Sequence, residues 1–152
     1  MKRAHAIKLR VIVGPGQEEL VKERLLSMLG LPLSEVQEEE DISFDVDEAE
    51  DFSGNDLHLV RTSYTKTRNT NRVLDVLREK LPRGDREMVV SQEDRLDDDL
   101  NFHIRLDLDA FLDGAYILTE DGDCVHVRVK VAAYPAKRDE AMTVVRDVFG
   151  VD

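Results

Sequence analysis

Apolar and polar residues alternate in three stretches of this chain, and in each the polar set is rich in positive charge. Across residues 6–13, Ile7, Leu9, Val11 and Val13 alternate with Lys8 and Arg10. Across 102–107, Phe102, Ile104 and Leu106 alternate with His103, Arg105 and Asp107. Across 125–131, four valines alternate with His126, Arg128 and Lys130. Successive side chains of a strand point to opposite faces, so each stretch predicts a half-buried strand with a basic outer row.

Other elements follow from periodicity and punctuation. Val21, Leu25, Met28 and Leu29 predict a helix over 17–29 with Gly30 as its C′ residue. The acidic stretch 35–51 is interrupted by Ile42, Phe44 and Val46, a short edge strand with Ser43 and Asp45 outward. Ser53-Gly54-Asn55-Asp56 is a turn before an extended segment, 57–65, of ambiguous parity. Asn69 or Thr70 caps a helix that carries Val73, Leu77 and Leu81 and ends at Pro82. A short helix over 85–96 carries Met88, Val89, Gln92 and Leu96, with a strand at 88–90 as its alternative. Asp121-Gly122 predicts a hairpin joining 115–119 to 124–133. Pro135 breaks that strand, and a last helix over 138–149 turns Ala141, Val144, Val145 and Val148 inward. No repeat or linker divides the chain. The expectation is one α+β domain, 1–152, with a largely antiparallel sheet and helices mainly on one face.

Charge changes the picture. The 152 residues hold 33 acids and 21 Lys or Arg, a formal net charge of -12. Yet Asp107 is the one acid in the three outer rows, against Lys8, Arg10, Arg105, Arg128 and Lys130. Sharing one sheet, these rows make a cationic surface in an anionic body. The net charge repels nucleic acid at long range and argues against indiscriminate binding. In a salt-rich cytoplasm it would matter less, since the Debye length at 1 M is about 3 Å. No apolar run is long enough to cross a bilayer, and residues 1–5 lead into a strand rather than a signal peptide. The lone Cys124 forms no internal disulfide, and the chain reads as cytoplasmic.

Candidate chemistry is thin. Asp107, Asp109 and Asp113-Gly114 lack the alternating ligands and late Glu of a calcium loop. His5, His58, His103 and His126 have no zinc-ligand spacing. Cys124 and His126 share a strand face, but i and i+2 side chains lie about 7 Å apart, too far for direct activation. No phosphate-binding loop or nucleophile elbow is present. No enzyme, metal or cofactor is expected. A secondary basic patch, Arg61, Lys66, Arg68 and Arg72, surrounds the start of the middle helix, where free N–H groups favour phosphate. Aromatic residues make up 5% and Trp is absent, so backbone contact suits the surface better than base stacking.

Two stretches carry a family resemblance: Asn101-Phe102-His103-Ile104-Arg105-Leu106-Asp107, and Cys124-Val125-His126-Val127-Arg128-Val129-Lys130-Val131-Ala132-Ala133-Tyr134-Pro135-Ala136-Lys137. Ser53-Gly54-Asn55 and Glu93-Asp94-Arg95-Leu96-Asp97 fit the same pattern. The chain resembles a small archaeal family of RNA-binding proteins described as predicted exosome subunits. Their fold is similar to that of the large-subunit ribosomal protein that binds 5S RNA. Leu108 departs from the family pattern, in which a Lys commonly follows the Leu-Asp pair. The resemblance implies a non-enzymatic RNA-associated protein linked to RNA processing or the exosome. It implicates Arg105, Arg128, Lys130 and Lys137.

The expected RNA site is therefore Lys8, Arg10, Arg105, Arg128 and Lys130, with His103, His126 and Lys137 as further contacts. The alternative is a protein-interaction or dimerisation module, in which segment 35–51 or the sheet face docks an exosome- or ribosome-related partner or a second copy. A hydrolase using the clustered acids is a third reading. The first reading requires all three basic rows to share one open face.

Overall fold

Residues 1–36 and 42–151 are described by a computed structural model. Among them, β1 (Ala4–Val13), β2 (Phe44–Glu50), β3 (Asp56–Tyr64), β4 (Asn101–Asp107) and β5 (Cys124–Val131) form one antiparallel sheet. The strand order is β2-β3-β1-β5-β4. Helices α1 (Glu18–Ser27), α2 (Leu33–Val36), α3 (Thr67–Lys80), α4 (Arg83–Ser91), α5 (Leu108–Leu112) and α6 (Arg138–Phe149) connect or flank the strands. The fold is α+β.

Parity decides which face the helices cover. Ile7, Leu9, Val11 and Val13 are buried on β1, as are Phe102, Ile104 and Leu106 on β4 and the four valines of β5. They meet Val21 and Leu25 of α1, Val73, Leu74 and Leu77 of α3, and Ala141, Met142, Val145, Val148 and Phe149 of α6. The α6 set falls at i, i+1, i+4, i+7 and i+8, one stripe of a helix. Gly150 ends that helix at φ 64, and Val151 N–H donates to the Arg146 carbonyl at 2.9 Å, closing its last turn. Across the core, Tyr64 donates its hydroxyl to the Leu25 carbonyl at 3.0 Å, tying β3 to α1.

The ambiguous segment becomes β3, with Val60, Thr62 and Tyr64 buried and Arg61 and Ser63 on the opposite, open face. Its turn from β2 is shaped by Asp51, whose Oδ1 accepts from Ser53 N at 2.8 Å and Asn55 N at 2.9 Å. The edge strand expected at 42–46 runs on to Glu50. Of the acidic stretch 35–51, residues 37–41 lie outside the described residues.

Three expectations need correction. Asp121-Gly122 does not join two strands of a hairpin. Both edges of β5 are already taken by β1 and β4, so segment 115–119 lies instead against the outer edge of β4. There Leu118 bridges Leu106, Asp107 N–H donates to the Ile117 carbonyl at 2.7 Å, and Thr119 N–H to the Arg105 carbonyl at 3.0 Å. Second, α3 begins at Thr67, with Lys66 as its N-cap residue, so Asn69 and Thr70 are buried in its first turn rather than capping it. Third, α4 buries Val89 and Val90 while Met88 is exposed, and Asp107 caps a short α5 that the pattern did not predict. The Asp107 Oδ2 accepts from Ala110 N at 3.0 Å, so its acid is spent on a cap.

Candidate nucleic-acid interface

Strand register assembles the basic rows. Arg61 lies opposite Arg10, Arg10 opposite His126, and His126 opposite Arg105, a line crossing β3, β1, β5 and β4. One step along the strands, Ser63 pairs with Lys8, Lys8 with Arg128, and Arg128 with His103. A third line holds Ala6, Lys130 and Asn101. Neighbouring strands sit about 4.8 Å apart, so these are adjacent side chains on one surface. All three predicted rows share the face opposite the helices.

The face is recessed as well as charged. A cavity of about 430 Å³ is lined by Lys8, Arg10, Arg61, Ser63, His126 and Arg128, with Ser43 and Asp45 at its β2 side. A second, of about 410 Å³, shares Lys8 and Arg128 and adds Asn101 and Lys130. A third, of about 560 Å³, is lined by Arg95, His103, Arg105, Thr119 and Glu120.

Basic side chains at the edges of the face have protein partners. Arg61 is ion-paired with Asp47 of β2, and Lys130 donates to the Asp99 carbonyl. By contrast, the side chains of Lys8, Arg10, Arg105 and Arg128 make no hydrogen bond or ion pair among the described residues. Cations held side by side without acids repel one another, an arrangement that folding alone does not favour.

Within this field lies a polar chain. His103 Nε2 is 2.8 Å from Asp97 Oδ2, and His103 Nδ1 is 2.9 Å from His126 Nε2. Burial, the neighbouring His103 and then Arg10, Arg105 and Arg128 push His126 down from 6.5 to about 4, so it is neutral at pH 7. Burial raises Asp97, but hydrogen bonds from His103, Asn101 and Asp99 outweigh it and hold the carboxyl at about 2. Asp97 Oδ1 also accepts from the N–H groups of Asp99 and Asn101, at 3.0 and 2.9 Å.

The other predicted contacts lie elsewhere. Arg61 leaves the secondary basic patch for the sheet face. Lys66 and Arg68 stay exposed at the start of α3, with Arg72 half-buried behind them. Lys137 stands just before α6, outside the strand rows. Leu108 is buried as the first residue of α5. Sequence reasoning missed Asp97, Arg95 and Ser63. Arg95 donates to the His103 carbonyl at 3.2 Å and to Gln92 Oε1 at 2.6 Å, which fixes the approach to β4.

A family model described as RNA binding matches residues 6–131, a span that holds β2 to β5 and all of β1 but its first two residues. The chain belongs to that RNA-binding family. It is 30% identical over 146 residues to the RNA-binding protein PAB1135 of Pyrococcus abyssi, covering 95% of this chain and 93% of that one. Among solved structures it is similar to Mth689, a DUF54 protein from Methanothermobacter thermautotrophicus, with a TM-score of 0.76 and 27% identity over 97% of this chain and 99% of that one. Protein AF2318 from Archaeglobus fulgidus shares the fold at a TM-score of 0.76 and 22% identity, over 96% and 99% of the two chains. No helix among the described residues is long and apolar enough to cross a membrane.

Proposed function

We propose that this protein binds RNA without cleaving it, through phosphates and riboses laid on the open face of the sheet. One observation carries the reading: Lys8, Arg10, Arg105 and Arg128 stand together without an acidic partner among the described residues, in a chain of net charge -12. Phosphate oxygens supply the charge that the fold withholds from them. Asp45 and Asp47 on β2, and Asp97 and Asp99 before β4, would repel a strand that strays from the central strands. His103, His126 and Lys130 add contacts inside the recess, and Lys137 beyond it. Family membership supports RNA as the ligand.

The test replaces Arg105, Arg128 and Lys130 by Glu and measures affinity for a structured RNA at several salt concentrations. Affinity should fall at least a hundredfold, with a shallower salt slope, because each lost phosphate contact removes a released counterion. A folded variant with unchanged affinity and slope removes this site. A role in RNA processing or at an exosome, and a fold likeness to the 5S-RNA-binding ribosomal protein, belong to the same reading and rest on the sequence resemblance. Recovery of RNA-processing subunits together with RNA from native extract supports the exosome association, and RNA recovered alone removes it.

A further inference from the structure

We infer that His126 tells RNA from DNA on this face: its Nδ1 accepts a hydrogen bond from a ribose 2′-hydroxyl, in a tautomer set by Asp97 through His103. The inference rests on the proposed RNA-backbone reading and deepens it.

The geometry fixes the hydrogens by elimination. A carboxylate only accepts, so the nitrogen facing Asp97 Oδ2, His103 Nε2, carries a proton. With His103 neutral, its Nδ1 is bare and accepts from His126 Nε2, 2.9 Å away. The two rings lie within 8° of parallel, with centroids 5.1 Å apart, which suits an in-plane N–H···N bond. A neutral His126 has one N–H, now committed to His103. Its Nδ1 is therefore a bare lone pair.

The reverse arrangement needs one more proton, making His103 a cation that donates both ways. That cation would face Arg128 across the β4–β5 pair, share a cavity with Arg95 and Arg105, and sit 2.9 Å from a His126 ring that also feels Arg10. Asp97 is the carboxylate bonded to the pair, and Glu120 lines the adjoining cavity. The arrangement we infer is the one that adds no further charge to this cationic face.

A side-chain lone pair is scarce on the two central strands. Among the described residues, no protein group is hydrogen-bonded to His126 Nδ1. In the 430 Å³ cavity Lys8, Arg10 and Arg128 only donate; His126 is the side-chain acceptor on β1 and β5, while Asp45 and the hydroxyls of Ser43 and Ser63 accept on the β2–β3 side. Phosphates satisfy the donors. The acceptor takes a donor, and the donor that an internal sugar–phosphate backbone offers is the 2′-hydroxyl, which ribose has and deoxyribose lacks.

Two measurements test this. Nitrogen-15 NMR of the imidazoles at pH 7 should find His126 protonated at Nε2 and bare at Nδ1; a proton on Nδ1 overturns the inference. Second, affinities are compared for one sequence as RNA, as 2′-fluoro RNA, which keeps the sugar pucker but has no hydroxyl donor, and as DNA. The wild type should favour RNA over both by about fivefold or more, the worth of a hydrogen bond whose loss strands an acceptor. His126→Leu should bring the RNA to 2′-fluoro ratio near one while leaving the salt slope unchanged. Asp97→Asn, which frees the tautomer, should lower the same ratio and keeps the test open if His126→Leu does not fold. A ratio unchanged in either folded variant overturns the inference but leaves RNA binding standing. A wild type that binds no RNA removes both.

Discussion

Lys8 on β1 lies directly opposite Arg128 on β5, two like charges facing each other in the middle of an antiparallel sheet. Arg10 and Arg61 repeat the arrangement on the next pair of strands, where Asp47 relieves Arg61. Directly opposed like charges destabilise a sheet, so a purely structural surface would interleave acids here. Replacing Arg128 by Thr should raise unfolding free energy by about 0.5 kcal/mol, read by urea denaturation, while RNA affinity falls. A variant both less stable and unchanged in binding would make Arg128 a structural residue.

His126 gives acid stability a distinct signature. Its folded value of about 4 lies below its ordinary 6.5, so between those pH values the unfolded chain binds the extra proton. Stability should therefore fall as pH drops from 6.5 to 4, by about 1–2 kcal/mol after allowance for solvent screening of a half-exposed ring. Asp97, held at about 2, loses its contribution lower still, as pH falls from 3.8 through 2. In His126→Gln, denaturation curves at stepped pH should lose the upper slope and keep the lower one.

Asp47 restrains Arg61 at the rim. Removing that acid with Asp47→Asn releases a guanidinium toward the cavity and lowers local negative potential. RNA affinity at moderate salt should rise about threefold, with stability changed by less than about 1 kcal/mol because the pair is exposed. Filter binding and thermal unfolding read the two effects separately.

The core makes an independent prediction about the scaffold. Tyr64→Phe removes one of two donors to the Leu25 carbonyl, which keeps the Met28 N–H, and should cost about 1 kcal/mol in urea unfolding. RNA affinity of the folded variant should not change, since Tyr64 faces the helices.

Much of this face was legible because β1, β4 and β5 alternate strictly, and period two assigns every residue a side. β3 was not legible in that way. Its outward set mixes Leu57 and Leu59 with Arg61 and Ser63, so hydrophobicity could not choose a face, and Arg61 was grouped with the wrong patch. The mistaken hairpin at Asp121-Gly122 has a different cause. Turn chemistry is local, whereas strand partnership depends on which edges β1 and β4 have already taken. Asp97 stood in the 93–97 motif but not among the expected site residues, because it reaches His103 across a turn, outside the strand alternation.

The central claim is that the sheet face, rather than the start of α3, holds RNA phosphates. The direct measurement is the slope of log affinity against log salt for two matched double variants, each losing two exposed positive charges: Lys8→Ala with Arg10→Ala, and Lys66→Ala with Arg68→Ala. Each phosphate contact contributes about 0.7–0.9 to the slope. The sheet-face variant should lose about 1.4–1.8, and the α3 variant should keep the wild-type slope. A slope lost in the α3 variant and kept in the sheet-face variant would contradict the account.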